Sequence, residues 1–216
     1  MARARLSQAR LYACIDARTE RGDLRTFLDA ILAGGVDVVQ LRDKSLSVED
    51  EIAALGVVRE RCDAHGALWA VNDRVDIAQA VAAPIVHLGQ SDMPVLIARD
   101  QLGPDVLIGR STHSLAQAEA AAMNADVGYF AVGPIWPTPT KPGRAAIGLD
   151  VVRAVADASW SQNKPWFAIG GVDSQTLGQV VDAGASRVVV VRAVTQATSP
   201  EDAAQELRAA LVAVGV

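Results

Sequence analysis

Eight short apolar runs, separated by alanine-rich amphipathic stretches, predict an α/β chain folded as a single (β/α)8 barrel over residues 1–216. A doubly wound parallel sheet shares that alternation. Two features favour the barrel: the count of eight units, about 27 residues each, and the polar residues that recur just after the runs, where a barrel assembles its active site. The unit itself shows as a weak internal repeat. Ala33-Gly-Gly-Val-Asp-Val-Val-Gln-Leu41 resembles Ala183-Gly-Ala-Ser-Arg-Val-Val-Val-Val191, and Asn124-Ala-Asp-Val-Gly-Tyr-Phe-Ala-Val132 is a looser copy.

In chain order the strands are expected at Arg10–Ile15, Val36–Leu41, Leu68–Asn72, Ile85–Leu88, Val106–Ser111, Val127–Val132, Trp166–Ile169 and Arg187–Val191. Each is rich in Val, Ile or aromatic residues and apolar on both faces, as a strand covered by helices outside and side chains inside must be. The stretches between them are helical, with caps expected at Ser47, Asp73, Ser114, Ser174 and Ser199-Pro200, whose side-chain oxygens can accept first-turn N–H groups.

Composition narrows the functional classes. Half of the chain is hydrophobic and 21% is charged, far from a disordered composition. No run of roughly 18 apolar residues is present, so no membrane span is expected. A net charge of −5 argues against a general nucleic-acid binder. Cys14 and Cys62 lack CxxC spacing and suggest neither a metal nor a disulfide framework. The N-terminus has basic residues without a signal-peptide core, so a cytoplasmic location is expected. Nothing in the sequence separates a monomer from a homo-oligomer.

The residues just after each strand define a ring. Strand two ends in Gln40-Leu41-Arg42-Asp43-Lys44, where alternation sends Gln40, Arg42 and Lys44 to one side. The chain has three lysines, and Lys44 and Lys141 both fall in loops on the active face. Strand three ends in Asn72-Asp73 and strand four leads to Asp92; each aspartate reads either as a helix cap or as one of two ligands to magnesium, which takes few carboxylates and keeps other oxygens. His87 reads as a packing or orienting residue within strand four, and His65 as a surface residue.

Strand five ends in Gly109-Arg110-Ser111-Thr112-His113, without the Gly-x-Ser-x-Gly elbow of a serine nucleophile. The sixth loop carries Thr138-Pro139-Thr140-Lys141-Pro142-Gly143-Arg144, a long stiff segment whose hydroxyls and cations suit an anion. Strand seven ends in Ile169-Gly170-Gly171 and strand eight in Val191-Arg192; loops seven and eight are the recurring phosphate site of this fold. Two anion-binding regions flanking a candidate magnesium site point to an enzyme that handles a diphosphate and a phosphate together.

Taken in order, Gln40-Leu-Arg-Asp-Lys44, Asn72-Asp73, His87-Leu-Gly-Gln-Ser-Asp92, Gly109-Arg-Ser-Thr-His113, Gly133-Pro-Ile-Trp-Pro-Thr-Pro-Thr-Lys141 and Ile169-Gly-Gly171 resemble the thiamine-phosphate synthase family, from about Arg10 to Ala197. The resemblance implies a TIM barrel that joins hydroxymethylpyrimidine diphosphate to a thiazole phosphate, plain or carboxylated, releasing diphosphate with magnesium as cofactor. It further implies that Gln40, Leu41, Arg42, Asp43, Lys44 and Asn72 hold the pyrimidine diphosphate, and that Asp73 and Asp92 bind magnesium. Ser111 and Lys141 would contact the pyrimidine substrate or its diphosphate. Thr138, Pro139, Thr140, Gly171, Val191 and Arg192 would meet the thiazole phosphate, although the family commonly has serine where Arg192 stands. Arg42, Lys44 and Lys141 would neutralise the charge of the departing diphosphate. The thiazole tautomerase branch shares the barrel but needs no diphosphate machinery, and a phosphate-sensing barrel has no need of Asp73 together with Asp92.

Overall fold

The computed structural model describes residues 2–138 and 145–213. The strands β1 (Leu11–Ile15), β2 (Val38–Leu41), β3 (Leu68–Asn72), β4 (Ile85–Leu88), β5 (Leu107–Thr112), β6 (Tyr129–Val132), β7 (Trp166–Ile169) and β8 (Val188–Val190) are all parallel and pair in chain order. Pairing of β8 with β1 closes the barrel. Among the described residues the helices are α1 (Ala2–Gln8), α2 (Leu24–Ala33), α3 (Val48–His65), α4 (Val75–Ala80), α5 (Val95–Leu102), α6 (Leu115–Met123), α7 (Gly148–Asp157), α8 (Leu177–Asp182), α9 (Arg192–Thr195) and α10 (Pro200–Ala213).

Alternation along each strand splits the core into two layers. Outward residues such as Val39, Leu41, Trp69, Val71 and Val86 pack against the helices in one continuous cluster. Inward residues, Val38, Leu68, Ile85, Leu107 and Phe167 among them, fill the barrel. The apolar filling gives way to polar side chains toward the strand ends, and that gradient places the site.

The entry end of the barrel is shut by an element that the sequence pattern does not announce. The basic N-terminal segment forms α1, which sends Leu6 into the interior cluster, only 1% exposed, and Ala9 just after the helix joins it there. Arg5 donates to the carbonyl of Gly66 ahead of β3, and Arg187 ahead of β8 donates to the carbonyl of Ser7 at 3.0 Å. Asp37 braces the same end: its Oδ2 accepts the amides of Arg10 and Leu11 at 2.7 and 2.9 Å and pairs with Arg208 of α10.

This brace explains one departure from the expected strands. Val36 and Asp37 lie outside β2 because Asp37 is spent on capping the start of β1. Elsewhere the differences are one or two residues: β1 and β8 start one residue late, β8 ends before Val191, β6 opens at Tyr129, and β5 runs from Leu107 to Thr112. Ser47 and Ser114 cap α3 and α6, accepting the amides of Asp50 and Gln117. Ser199 accepts the amide of Asp202 at 3.4 Å. Ser174 does not cap α8, whose N-cap is Thr176 without a side-chain bond; Asp173 Oδ1 accepts the amides of Gln175 and Thr176 in the turn that leads into the helix.

Because Leu6 plugs the barrel from below, far from the polar end, Leu6→Ala is expected to leave a cavity that costs about 2–5 kcal/mol. Denaturant unfolding measures the loss, and the substrate KM values should stay unchanged.

Candidate active site

The strand ends surround a cavity of about 310 Å3. Its floor is a row of inward side chains from four strands: Gln40 on β2, Asn72 on β3, His87 on β4 and Ser111 on β5. Gln40, His87 and Ser111 are buried, so each needs a hydrogen-bond partner inside the protein. Two tyrosines supply them. Tyr12 on β1 donates to Gln40 Oε1 at 2.8 Å and lies 3.0 Å, hydroxyl to hydroxyl, from Tyr129 on β6. Tyr129 in turn lies 3.0 Å from His87 Nδ1, and His87 Nε2 lies 2.9 Å from Ser111 Oγ. On the other side Gln40 Nε2 donates to Asn72 Oδ1 at 2.8 Å.

Sterics make this floor possible. Gly109 on β5 pairs with Tyr129 on β6, and a Cβ at position 109 would sit 2.2 Å from Tyr129 Cζ. The missing side chain is the room that the tyrosine ring occupies. Tyr12, Tyr129 and Phe167 then pack ring to ring at 5.5–6.0 Å, two of the three pairs edge to face. Burial pushes both tyrosine hydroxyls well above their ordinary pKa.

The rim of β3 departs from the expected helix cap. Asp73 has φ of 50°, a left-handed conformation that aspartate tolerates better than most residues, and its amide donates to the carbonyl of His87. Helix α4 is capped by Arg74 without a side-chain bond, so capping is not what Asp73 does. Its Oδ2 instead accepts Asn72 Nδ2 at 2.8 Å and pairs with Lys44 Nζ at 2.9 Å. Asp92 does not cap a helix either; its Oδ2 accepts the amide of Gly89 at 2.6 Å and closes the turn after β4. Both carboxylates keep a second oxygen without a partner among the described residues.

The opposite wall is made of backbone. Gly170 and Gly171 have φ of 105° and 77°, and a Cβ on Gly170 would meet Pro134 Cα at 2.5 Å. The amide of Trp136 donates to the carbonyl of Gly170, and Thr176 Oγ1 donates to that of Gly171. Loops six and seven are thereby stitched together. Val191 and Arg192, at the start of α9, face the same cavity. Among the described residues no carboxylate lies within ion-pair distance of Arg192.

Most residues expected at the site therefore meet around one space: Gln40, Arg42, Asn72 and Ser111 on one side, Thr138, Gly171, Val191 and Arg192 on the other. Others stand apart. Leu41 is buried in the outer core, leaving only its backbone to face a ligand. Asp43 locks two loops, accepting the amides of Ser45 and Ala17. Lys44, Asp73 and Asp92 sit at the rim rather than on the cavity wall. Pro139, Thr140 and Lys141 lie outside the described residues. Sequence reasoning did not single out Tyr12 and Tyr129; the available signal was that the only two tyrosines of the chain both fall in interior strands.

Comparison with known proteins places the chain in one family. The family model for thiamine monophosphate synthase matches residues 11–194. The thiamine-phosphate synthase of Thermobifida fusca is 60% identical over 98% of this chain and 96% of its own. That of Mycobacterium tuberculosis is 55% identical over 99% of both chains. Among solved structures, the thiamine phosphate pyrophosphorylase of Pyrococcus furiosus superposes with a TM-score of 0.85 at 29% identity, covering 100% of each chain.

The steric role of Gly109 gives a direct check. Gly109→Ala should destabilise the fold by about 1–3 kcal/mol through overpacking against Tyr129, measurable by denaturant unfolding.

Proposed function

This chain belongs to the thiamine monophosphate synthase family, and we propose that it joins an aminopyrimidine-methyl diphosphate to a thiazole phosphate, giving thiamine phosphate and diphosphate in the cytoplasm. The observation that carries this reading is one cavity shared by two anion-binding walls: Arg42 and Asn72 at the ends of β2 and β3, Gly171 and Arg192 after β7 and β8. An enzyme that must bring a diphosphate and a phosphate together needs both, close enough for the two organic groups to touch between them.

Departure of diphosphate from a benzylic-type carbon on an electron-rich aminopyrimidine can run ahead of nucleophilic attack, so no covalent enzyme nucleophile is needed. The protein's tasks are electrostatic and geometric. Arg42 and Lys44 neutralise charge on the leaving group, joined by Lys141. The glycine loop and the first amides of α9 take the thiazole phosphate, which aligns the ring nitrogen with the reacting carbon. The floor of Gln40, Asn72, His87 and Ser111 presents fixed donors and acceptors to the pyrimidine.

The donor set at the rim suits magnesium. Asp73 and Asp92 follow adjacent strands and each keeps a carboxylate oxygen available, while no group of three or more ligating side chains occurs among the described residues. Magnesium is usually held by one or two carboxylates together with substrate phosphate oxygens. When bound, it would supply further charge neutralisation to the leaving diphosphate.

The central test is incubation with each substrate alone and with both. Diphosphate release only with both substrates supports the synthase; release from the pyrimidine diphosphate alone would make the protein a hydrolase and sink the reading. Asp92→Asn should raise the magnesium concentration for half-maximal rate by at least about tenfold; an unchanged requirement would restrict Asp92 to closing the Gly89 turn. Arg192→Ser should raise KM for the thiazole phosphate roughly tenfold with kcat nearly unchanged. That penalty should shrink at high salt. An unchanged KM would leave only the backbone amide of position 192 in contact with the phosphate.

A further inference from the structure

We propose that Tyr12 and Tyr129 are positioning residues that carry a hydrogen-bond direction, set by Asp73 on one side of the barrel, across to His87, and so fix Ser111 Oγ as an acceptor facing the cavity.

Proton counting dictates the direction. The Asp73 carboxylate, paired with Lys44 Nζ at 2.9 Å, only accepts, so the Asn72 amide must turn Nδ2 toward it. Asn72 Oδ1 then faces Gln40 and takes Nε2, which leaves Gln40 Oε1 for Tyr12. A phenol has one proton. Tyr12 gives its proton to Gln40, so it must accept from Tyr129 across the 3.0 Å contact. Tyr129, its proton spent, must accept from His87 Nδ1. A neutral imidazole with its proton on Nδ1 offers a lone pair at Nε2, and Ser111 donates into it. The lone pairs of Ser111 Oγ are then what the cavity meets.

The reverse direction fails at its first link, since it would set Asn72 Oδ1 against Asp73 Oδ2, two acceptors 2.8 Å apart. The geometry is held by packing as well as by the bonds. Gly109 leaves the space that Tyr129 fills, and Phe167 braces both tyrosine rings edge to face. Burial keeps both phenols protonated, so each brings one proton and one acceptor to the chain. Unpartnered buried side-chain atoms among the described residues are confined to Ser161 Oγ and Arg187 Nε, so every member of this chain is satisfied.

A ligand group seated against Ser111 must therefore bring its own hydrogen. On the synthase reading that group is an N–H of the aminopyrimidine. This last step rests on that reading, whereas the proton position on His87 does not.

The test is nitrogen-15 NMR of the ring nitrogens in the intact protein, which distinguishes a protonated from an unprotonated nitrogen. The chain has three histidines, and the resonances retained in both His65→Gln and His113→Gln belong to His87. The wild type should carry its proton on Nδ1; a proton on Nε2, or on both nitrogens, overturns the proposal. Tyr12→Phe is the decisive variant. Having lost its acceptor, Tyr129 should turn its hydroxyl proton to His87 Nδ1, and the imidazole proton should move to Nε2. Retention of Nδ1–H in this variant also overturns the proposal. Tyr129→Phe removes the hydroxyl that accepts from Nδ1 and should give the same change, which covers the case in which Tyr12→Phe does not fold. In turnover, Tyr12→Phe should lower kcat/KM for the pyrimidine diphosphate roughly tenfold and leave KM for the thiazole phosphate unchanged. Wild-type protein that shows the expected proton position without turnover would refute the synthase reading alone.

Discussion

Closure of eight parallel strands turns every second strand residue into an interior that is packed with side chains, and that constraint governs the rest of the molecule. A polar group pointed inward must find its partner across the barrel or leave a buried group unsatisfied. At the entry end the problem is avoided with Val38, Leu68, Ile85 and Leu107, and with Leu6 brought up from α1. At the other end Gln40, Asn72, His87 and Ser111 must be solvated by protein. The two tyrosines do this, and the chain they complete runs from the carboxylate rim of β3 to the hydroxyl of β5.

This arrangement reconciles stability with catalysis. Buried polar networks are costly when incomplete and specify a unique geometry when complete. Here the floor is complete, rigid and shallowly placed beneath a cavity whose walls are of two kinds. One wall is side chains: cations and an amide at the ends of β2 and β3. The other is backbone, with glycines at 170 and 171 in conformations few other residues adopt. Close approach of N–H groups to an anion is what the second wall permits, whereas the first offers charged side chains on flexible stems.

Asp73 joins the two levels. Its left-handed backbone lifts it out of the cap position and aims its carboxylate at Lys44 and Asn72 at once. The same group thus serves the rim, as a candidate magnesium ligand, and the floor, as the acceptor that orients six polar side chains beyond it. A local sequence reading offers cap or ligand for this residue. Neither description includes the second duty, because that duty is visible only through partners on β1, β2, β4, β5 and β6.

Features with a short-range cause could be read from the amino-acid order. The count of strands, their burial on both faces, the serine caps of α3 and α6, and the polar residues just after the strands all follow from spacing within a few residues of each other. The ring of Gln40, Arg42, Asn72, Ser111, Gly171 and Arg192 was legible for that reason: barrel geometry converts position after a strand into position around the cavity. Contacts between distant positions had to wait for the folded chain. Tyr12 and Tyr129 are 117 residues apart and meet at 3.0 Å only because closure places β1 and β6 on facing walls and Gly109 leaves the gap between them. Alternation says that a side chain points inward; only the closed barrel says which side chain it finds there.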